Sequence, residues 1–203
     1  MIPDGYTLLP PGKLAAAVTY LEMTEIVAPP TPTAPEGFAL ERVERPRLDW
    51  YRDLFRQVGT PWLWFGRLVL SDHDLAAILQ DDAVEVYALR QGPRDVGLLE
   101  LDGRVRDEME LAYLGLIPGV IGRGAGRFLL EFAVARAASR GVRRFWVHTC
   151  SFDHPEALRI YQRAGFQPYQ RAIEVFDDPR LTGILPADAA PQIPLLRAGS
   201  GQS

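Results

Sequence analysis

The chain has almost no cysteine, almost no lysine and little histidine. Cys150 is the single thiol among 203 residues, which excludes an internal disulfide and any multi-thiolate metal site. A reducing, cytoplasmic compartment is the reading that follows. The three histidines, at positions 73, 148 and 154, lack the His-x-x-x-His spacing of a helical metal centre, so no metal is expected. Lys13 is the sole lysine, and a bias in base composition explains the preference for arginine. No apolar run approaches the roughly 20 residues needed to cross a bilayer. The Pro-Pro-Gly at residues 10–12 breaks up any secretory signal. A formal net charge of −4 gives no global attraction to nucleic acid or to an anionic membrane, and neither is expected as a partner.

What is present fits one α/β domain with extensions. Residues 1–36 read as an N-terminal strand followed by a proline-rich linker (APPTPTAPE, residues 28–36), which cannot hold a helix. Residues 37–183 read as the main domain and residues 184–203 as a tail, expected to fray from Pro186 on. Strands are expected at 16–24 and 38–43, and helices at 48–58 and 72–80, the second capped by Ser71 or Asp72. Residues 84–90, 96–102 and 108–116 read as an antiparallel meander. A helix over 124–140 ends at Gly141, residues 144–149 form a buried strand, a helix follows over 155–164, and residues 169–176 close as a last strand. The fold class is therefore a mixed α/β sheet covered by helices, with a crossover joining 108–116 to 144–149 as parallel neighbours.

The strongest local signal is Gly-Arg-Gly-Ala-Gly at residues 122–126, after a strand and at the mouth of a helix. Glycine lets the backbone approach a ligand closely. A helix start offers unpaired N–H groups and partial positive charge. Together they form a cradle for phosphate oxygens, with Arg123 and Arg127 beside it. The alternative is a glycine turn that only joins strand to helix. A dinucleotide fingerprint would need glycine where Arg127 stands, and a P-loop would need a Gly-Lys-Ser/Thr ending; both fail.

These residues resemble the GNAT superfamily of acetyl-CoA-dependent N-acetyltransferases, whose loop reads Gln/Arg-x-x-Gly-x-Gly/Ala. Gly124 and Gly126 match, while Ile121 replaces the polar residue. Downstream, Ala157, Leu158, Ile160, Tyr161, Gly165 and Phe166 match Asn-x-x-Ala-x-x-Leu-Tyr-x-x-x-Gly-Phe, with His154 in place of asparagine. Residues 19–23 and 147–155 are similar to a bacterial branch of that superfamily. The resemblance implies a GNAT-like fold and acetyl-CoA as cosubstrate. It implies a cofactor site of Leu114, Gly115 and Leu116 (backbone), Ile121, Gly122, Arg123, Gly124, Ala125, Gly126, Arg127 and His154. A backbone N–H near Leu114 would polarise the thioester carbonyl. The acceptor implied is an amine of a small molecule, amino acid or protein, and a homodimer is compatible with it. A catalytically silent acyl-CoA sensor is the competing reading.

Amine acylation needs a base for the ammonium and an acid for the leaving thiolate. Glu110 is the candidate base: it lies fourteen residues before Gly124, the spacing of histone-type members, and strict alternation would put it on one face with Ala112 and Leu114. Glu100, Glu108 or a water chain are alternatives. Tyr161 is the candidate acid, by its match to the family tyrosine. His148 and Cys150 share a strand face, which allows a thiol-transfer reading, but His148 reads better as a core histidine beside Trp146. Trp62, Trp64 and Phe65 are the candidate acceptor wall, the alternative being that they cover the sheet as core.

Overall fold

The computed structural model describes residues 4–197. Its centre is one seven-stranded sheet in the order β2-β3-β4-β5-β6-β1-β7. The strands are β1 (Lys13–Met23), β2 (Phe38–Arg42), β3 (Val84–Gln91), β4 (Arg94–Asp102), β5 (Glu108–Leu116), β6 (Arg144–Cys150) and β7 (Gln167–Asp177). The helices are α1 (Leu48–Gly59), α2 (Asp72–Leu79), α3 (Ala125–Arg140) and α4 (Ala157–Arg163). No described helix is long and apolar enough to cross a membrane.

The meander and the crossover follow the sequence pattern: β3, β4 and β5 pair antiparallel, and β5 and β6 pair parallel with α3 between them in sequence. Alternating apolar residues give the sheet two buried faces. On one, α3 and α4 pack over Leu99, Leu101, Met109, Leu111, Phe145 and Val147. On the other, Tyr51, Leu54, Phe55 and Val58 of α1 and Leu75 and Leu79 of α2 cover Val84, Val86, Ala88 and Leu98. Ser71 caps α2 by accepting from the Asp74 N–H at 3.1 Å. Gly141 takes a left-handed turn (φ 66°) that ends α3.

Two charged clusters are built into these faces. Glu85, fully buried, accepts hydrogen bonds from Arg136 (2.7 and 2.8 Å), from Arg140 and from the Tyr87 hydroxyl at 2.5 Å, which ties α3 to β3. Glu100, also fully buried, accepts from the Tyr51 hydroxyl and from Arg67 at 2.5 Å. Both satisfy the rule that a buried carboxylate is retained only with partners.

The ends of the chain differ from the expected layout. Strand β1 runs antiparallel between β6 and β7, so the N-terminal strand lies inside the same sheet as everything after the proline-rich linker. The expected fraying does not hold for residues 186–194. Leu185, Ala189 and Ala190 are buried with Leu63, and Gln192 donates to the Pro61 carbonyl at 2.6 Å. The buried Arg180–Asp178 pair anchors the stretch, Arg180 also donating to the Ile193 carbonyl at 2.7 Å. Small residues here are packing units rather than a sign of disorder. The last positions of the predicted tail, 198–203, lie outside the described residues.

Candidate active site

Strands β5 and β6 are paired only at their starts: Glu108 with Arg144, Met109 with Phe145, Glu110 with Trp146. Beyond that they part. The cause is a bulge in β5. Across β4, Leu101 faces Leu111 while Glu100 faces Tyr113, so Ala112 is the extra residue. A bulge of this kind bends its strand and ends local pairing. It also resets the alternation, which corrects an expectation from strict period two. Glu110 does not share a face with Leu114. Leu114 packs with Leu111 toward α3, whereas Tyr113 packs toward α1 and a Cβ on Gly115 would meet Val58 and Trp64 at 3.0 Å. Glu110 lies on the α1 side, its carboxylate 3.5 Å from His148 Nδ1.

A cavity of about 490 Å³ occupies the gap and passes through the sheet. On the α3 side it is lined by Leu116, Leu130, Ile160 and Tyr161, and by the loop before α3. On the α1 side it is lined by Trp62, Trp64, Phe65, Phe152 and Glu174.

The loop arrives through a short turn at Pro118–Val120. Gly122 and Gly124 have φ of 85° and 81°, the left-handed region that disfavours a side chain, and nothing stands within 4 Å of a Cβ built on Gly122. Helix α3 has no side-chain cap at Gly124 and no acidic residue in its first turn. Its leading N–H groups are thus left without the usual protein acceptor, beside a cavity wall formed by Gly122, Gly124, Gly126 and Arg127. The donor set fits a diphosphate.

The remaining loop residues fall differently. Ile121 lines the cavity, half-exposed. Ala125 is fully buried and packs in the core. Arg127 lines the cavity and pairs with Glu131 at 2.7 Å. Arg123 turns away from it, its guanidinium 5.1 Å over the Phe38 ring. His154 does two things: its Nδ1 accepts from the Glu156 N–H at 3.2 Å at the start of α4, and its ring meets Trp62 at 5.3 Å on the cavity wall.

The chemistry-bearing side chains converge from separate elements. Tyr161 projects from α4 into the cavity with its ring against Phe166. Burial, and then the Asp153 charge, push its hydroxyl well above the ordinary tyrosine value. His148 is not a core residue; it is exposed, stands against Tyr20 and Trp146, and lines the cavity. The Glu110 carboxylate 3.5 Å from its Nδ1 raises its pKa above the usual 6.5, against the partial desolvation of the ring in the cavity wall. Burial raises the Cys150 thiol to about 11, which removes the thiolate that a thiol-transfer reading requires.

Asp153 was not singled out by the sequence. Its Oδ2 accepts from the Thr149 hydroxyl and the Cys150 N–H, each at 2.8 Å, and its Oδ1 accepts from the Trp64 indole at 2.9 Å. It therefore pins the aromatic wall to the end of β6. The available signal was Thr-Cys-x-x-Asp after a strand, a side-chain turn motif.

A strand that splays beside an uncapped, glycine-led helix, with a cavity through the split, makes an α/β sheet with a site for an elongated, phosphate-bearing ligand. The pattern of the acetyltransferase (GNAT) family matches residues 43–166, and the chain belongs to that family. It is 29% identical over 163 residues to a mycothiol acetyltransferase of Jonesia denitrificans, covering 75% of this chain and 50% of that protein. An uncharacterized N-acetyltransferase of Mycobacterium bovis is 32% identical over 98 residues, 48% of this chain and 62% of the relative. Among solved structures, a GCN5-related N-acetyltransferase from Sphaerobacter thermophilus superposes with a TM-score of 0.61 at 21% identity, over 83% of this chain and 52% of the other. The chain thus spans about half to three-fifths of the length of these relatives.

Proposed function

We propose that this chain transfers an acetyl group from acetyl-CoA to an amine. The observation that carries the reading is the split between β5 and β6, which opens directly beside the uncapped start of α3. Main-chain N–H groups from Gly122 to Arg127 would hold the diphosphate, with Arg127 adding charge. The backbone of Leu114, Gly115 and Leu116, which has no β6 partner, would face the pantetheine arm. Acetyl-CoA supplies the activated acyl carbon.

The proton path runs through this chain's own side chains. Of Glu110 and His148, only His148 lines the cavity. His148 is therefore the group that takes the ammonium proton, and Glu110 is the positioning residue that holds its Nδ1. The freed amine attacks the acyl carbon, the C–N bond forms, the nitrogen releases its second proton to solvent, and the C–S bond breaks with its electron pair leaving on sulfur. Tyr161, kept protonated by burial, gives that sulfur its proton and is itself reprotonated from solvent. Trp62, Trp64 and Phe65 form the acceptor wall.

The test is thiol release from acetyl-CoA across a panel of amines, together with calorimetric titration of acetyl-CoA. Tyr161→Phe is expected to lower kcat by about 10²-fold or more, the scale of a general acid, with acetyl-CoA affinity unchanged. No heat with acetyl-CoA, or full turnover in Tyr161→Phe, refutes the assignment.

A further inference from the structure

The α1-side half of the cavity opens over strands β6, β1 and β7, which neither α1 nor α2 contacts extensively. Strand register lays out this floor. His148 stands beside Tyr20 and Cys150 beside Val18, while β7 sets Ala172 beside Val18 and Glu174 beside Ala16. The residues between the rim groups are small, so His148, Tyr20 and Glu174 stand above them. The Tyr20 ring lies 5.7 Å from His148, 6.4 Å from Trp146 and 6.1 Å from Tyr169, which makes a continuous aromatic shelf.

Carboxylates gather at the cavity side of this shelf. Asp153 and Glu174 line the cavity, and Glu110 sits behind His148. The one arginine in the lining, Arg127, belongs to the glycine loop at the other end. The nearby arginines carry carboxylate partners: Arg67 pairs with Glu100 at 2.5 Å, although its buried Nε has no hydrogen-bond partner, and Arg144 pairs with Glu22 and Glu108 at 2.6 and 2.8 Å. Arg144 also shows what the shelf accepts, since its guanidinium lies 5.7 Å over Trp146 and 4.9 Å over Tyr169.

We propose that the acceptor is an organic cation that carries no carboxylate, its body lying on the Tyr20 shelf and its positive charge answered by Glu174 and Asp153. Aromatic faces and carboxylates both attract an ammonium ion. An amino acid would set its own carboxylate against Glu174 and Asp153, with no arginine or lysine among the described lining residues of that half to bind it. This inference rests on the acetyl-transfer reading and narrows it.

Matched pairs test it: tryptamine against tryptophan and putrescine against ornithine, with acetyl-CoA, the whole chain and thiol release as readout. Each amine is expected to exceed its carboxylate-bearing partner at least tenfold in kcat/KM. Glu174→Gln, an exposed change, should shrink that ratio mainly through the acceptor KM. Tyr20→Ala should raise KM for tryptamine more than for putrescine. Equal or better use of tryptophan and ornithine overturns the proposal and leaves acetyl transfer standing. Calorimetry on the CoA-loaded protein covers the case of no turnover: tighter binding of tryptamine than tryptophan supports the proposal, and equal or absent binding overturns it. Failure of acetyl-CoA itself to bind strikes the underlying reading instead.

Discussion

Replacing Asp153 by asparagine should be far from conservative. Both carboxylate oxygens accept: Oδ2 from Thr149 and Cys150, Oδ1 from the Trp64 indole. An amide has one acceptor and one donor, so one of those N–H or O–H groups must face an NH2. The favoured orientation keeps oxygen toward the two β6 donors and sets the NH2 against the indole. One hydrogen bond to a charged acceptor is then lost, at roughly 1.5–3 kcal/mol, and the two that remain lose their charge assistance. A net loss of about 2–3 kcal/mol follows, and at about 2–4 °C per kcal/mol for a chain of this size, a melting temperature about 4–12 °C lower. Because Trp64 also packs against Gly59 and Gly115, its release loosens the acceptor wall. Acceptor KM should therefore rise while acetyl-CoA affinity holds. In a Trp64→Phe background, which has no indole donor, Asp153→Asn should cost less than it does alone. Thermal melts and steady-state kinetics of the two singles and the double measure this. An Asp153→Asn protein that melts with the parent, or full additivity in the double, refutes the claim that Asp153 anchors the wall.

Three further outcomes follow from the same geometry. The neutral form of His148 is the base and its pKa is raised, with Glu110, Asp153 and Glu174 facing it; kcat/KM should thus rise with pH through a midpoint above 6.5, and Glu110→Gln should move that limb to lower pH while lowering the maximum. An unmoved limb would take His148 out of the proton path. Gly124→Ala puts a side chain at φ 81°, a cost of roughly 1–2 kcal/mol, and crowds the cradle; acetyl-CoA affinity measured calorimetrically should fall by more than the melting temperature alone implies. At Glu85, burial would raise the carboxyl, but hydrogen bonds from Arg136, Tyr87 and Arg140 outweigh it and bring it from 4.5 to about 2. A depressed carboxylate pKa stabilises the fold above the unfolded value, so about 3 kcal/mol should be lost as pH falls from 4.5 toward 2, and a Glu85→Gln protein should show a shallower acid limb in denaturant titrations.

Local patterns carried much of this fold. The meander, α3 with its glycine ends and the crossover to β6 are all set by residues close in sequence, where periodicity and caps act. The position of β1 is different: its partners are more than a hundred residues away, and an alternating strand does not name its neighbours. The site divides the same way. The glycine loop and Tyr161 carry recognisable spacing, but the phase of β5 depends on a bulge at Ala112 that sits between ordinary strand residues. That bulge decides which face Glu110 occupies, and so hides the Glu110–His148 pairing from a period-two reading. Asp153 was hidden because one of its three donors, the Trp64 indole, lies 89 residues away.

The placement of β1 between β6 and β7 has a consequence for biosynthesis. Strand β1 is synthesised before both of the strands that flank it, so this sheet cannot be completed until residue 177 is out. At roughly 5–20 residues per second, β1 waits on the order of ten to thirty seconds with two unsatisfied edges. Nascent chains stalled before β7 should therefore be captured by chaperones or proteases, whereas chains stalled well after it should already resist digestion.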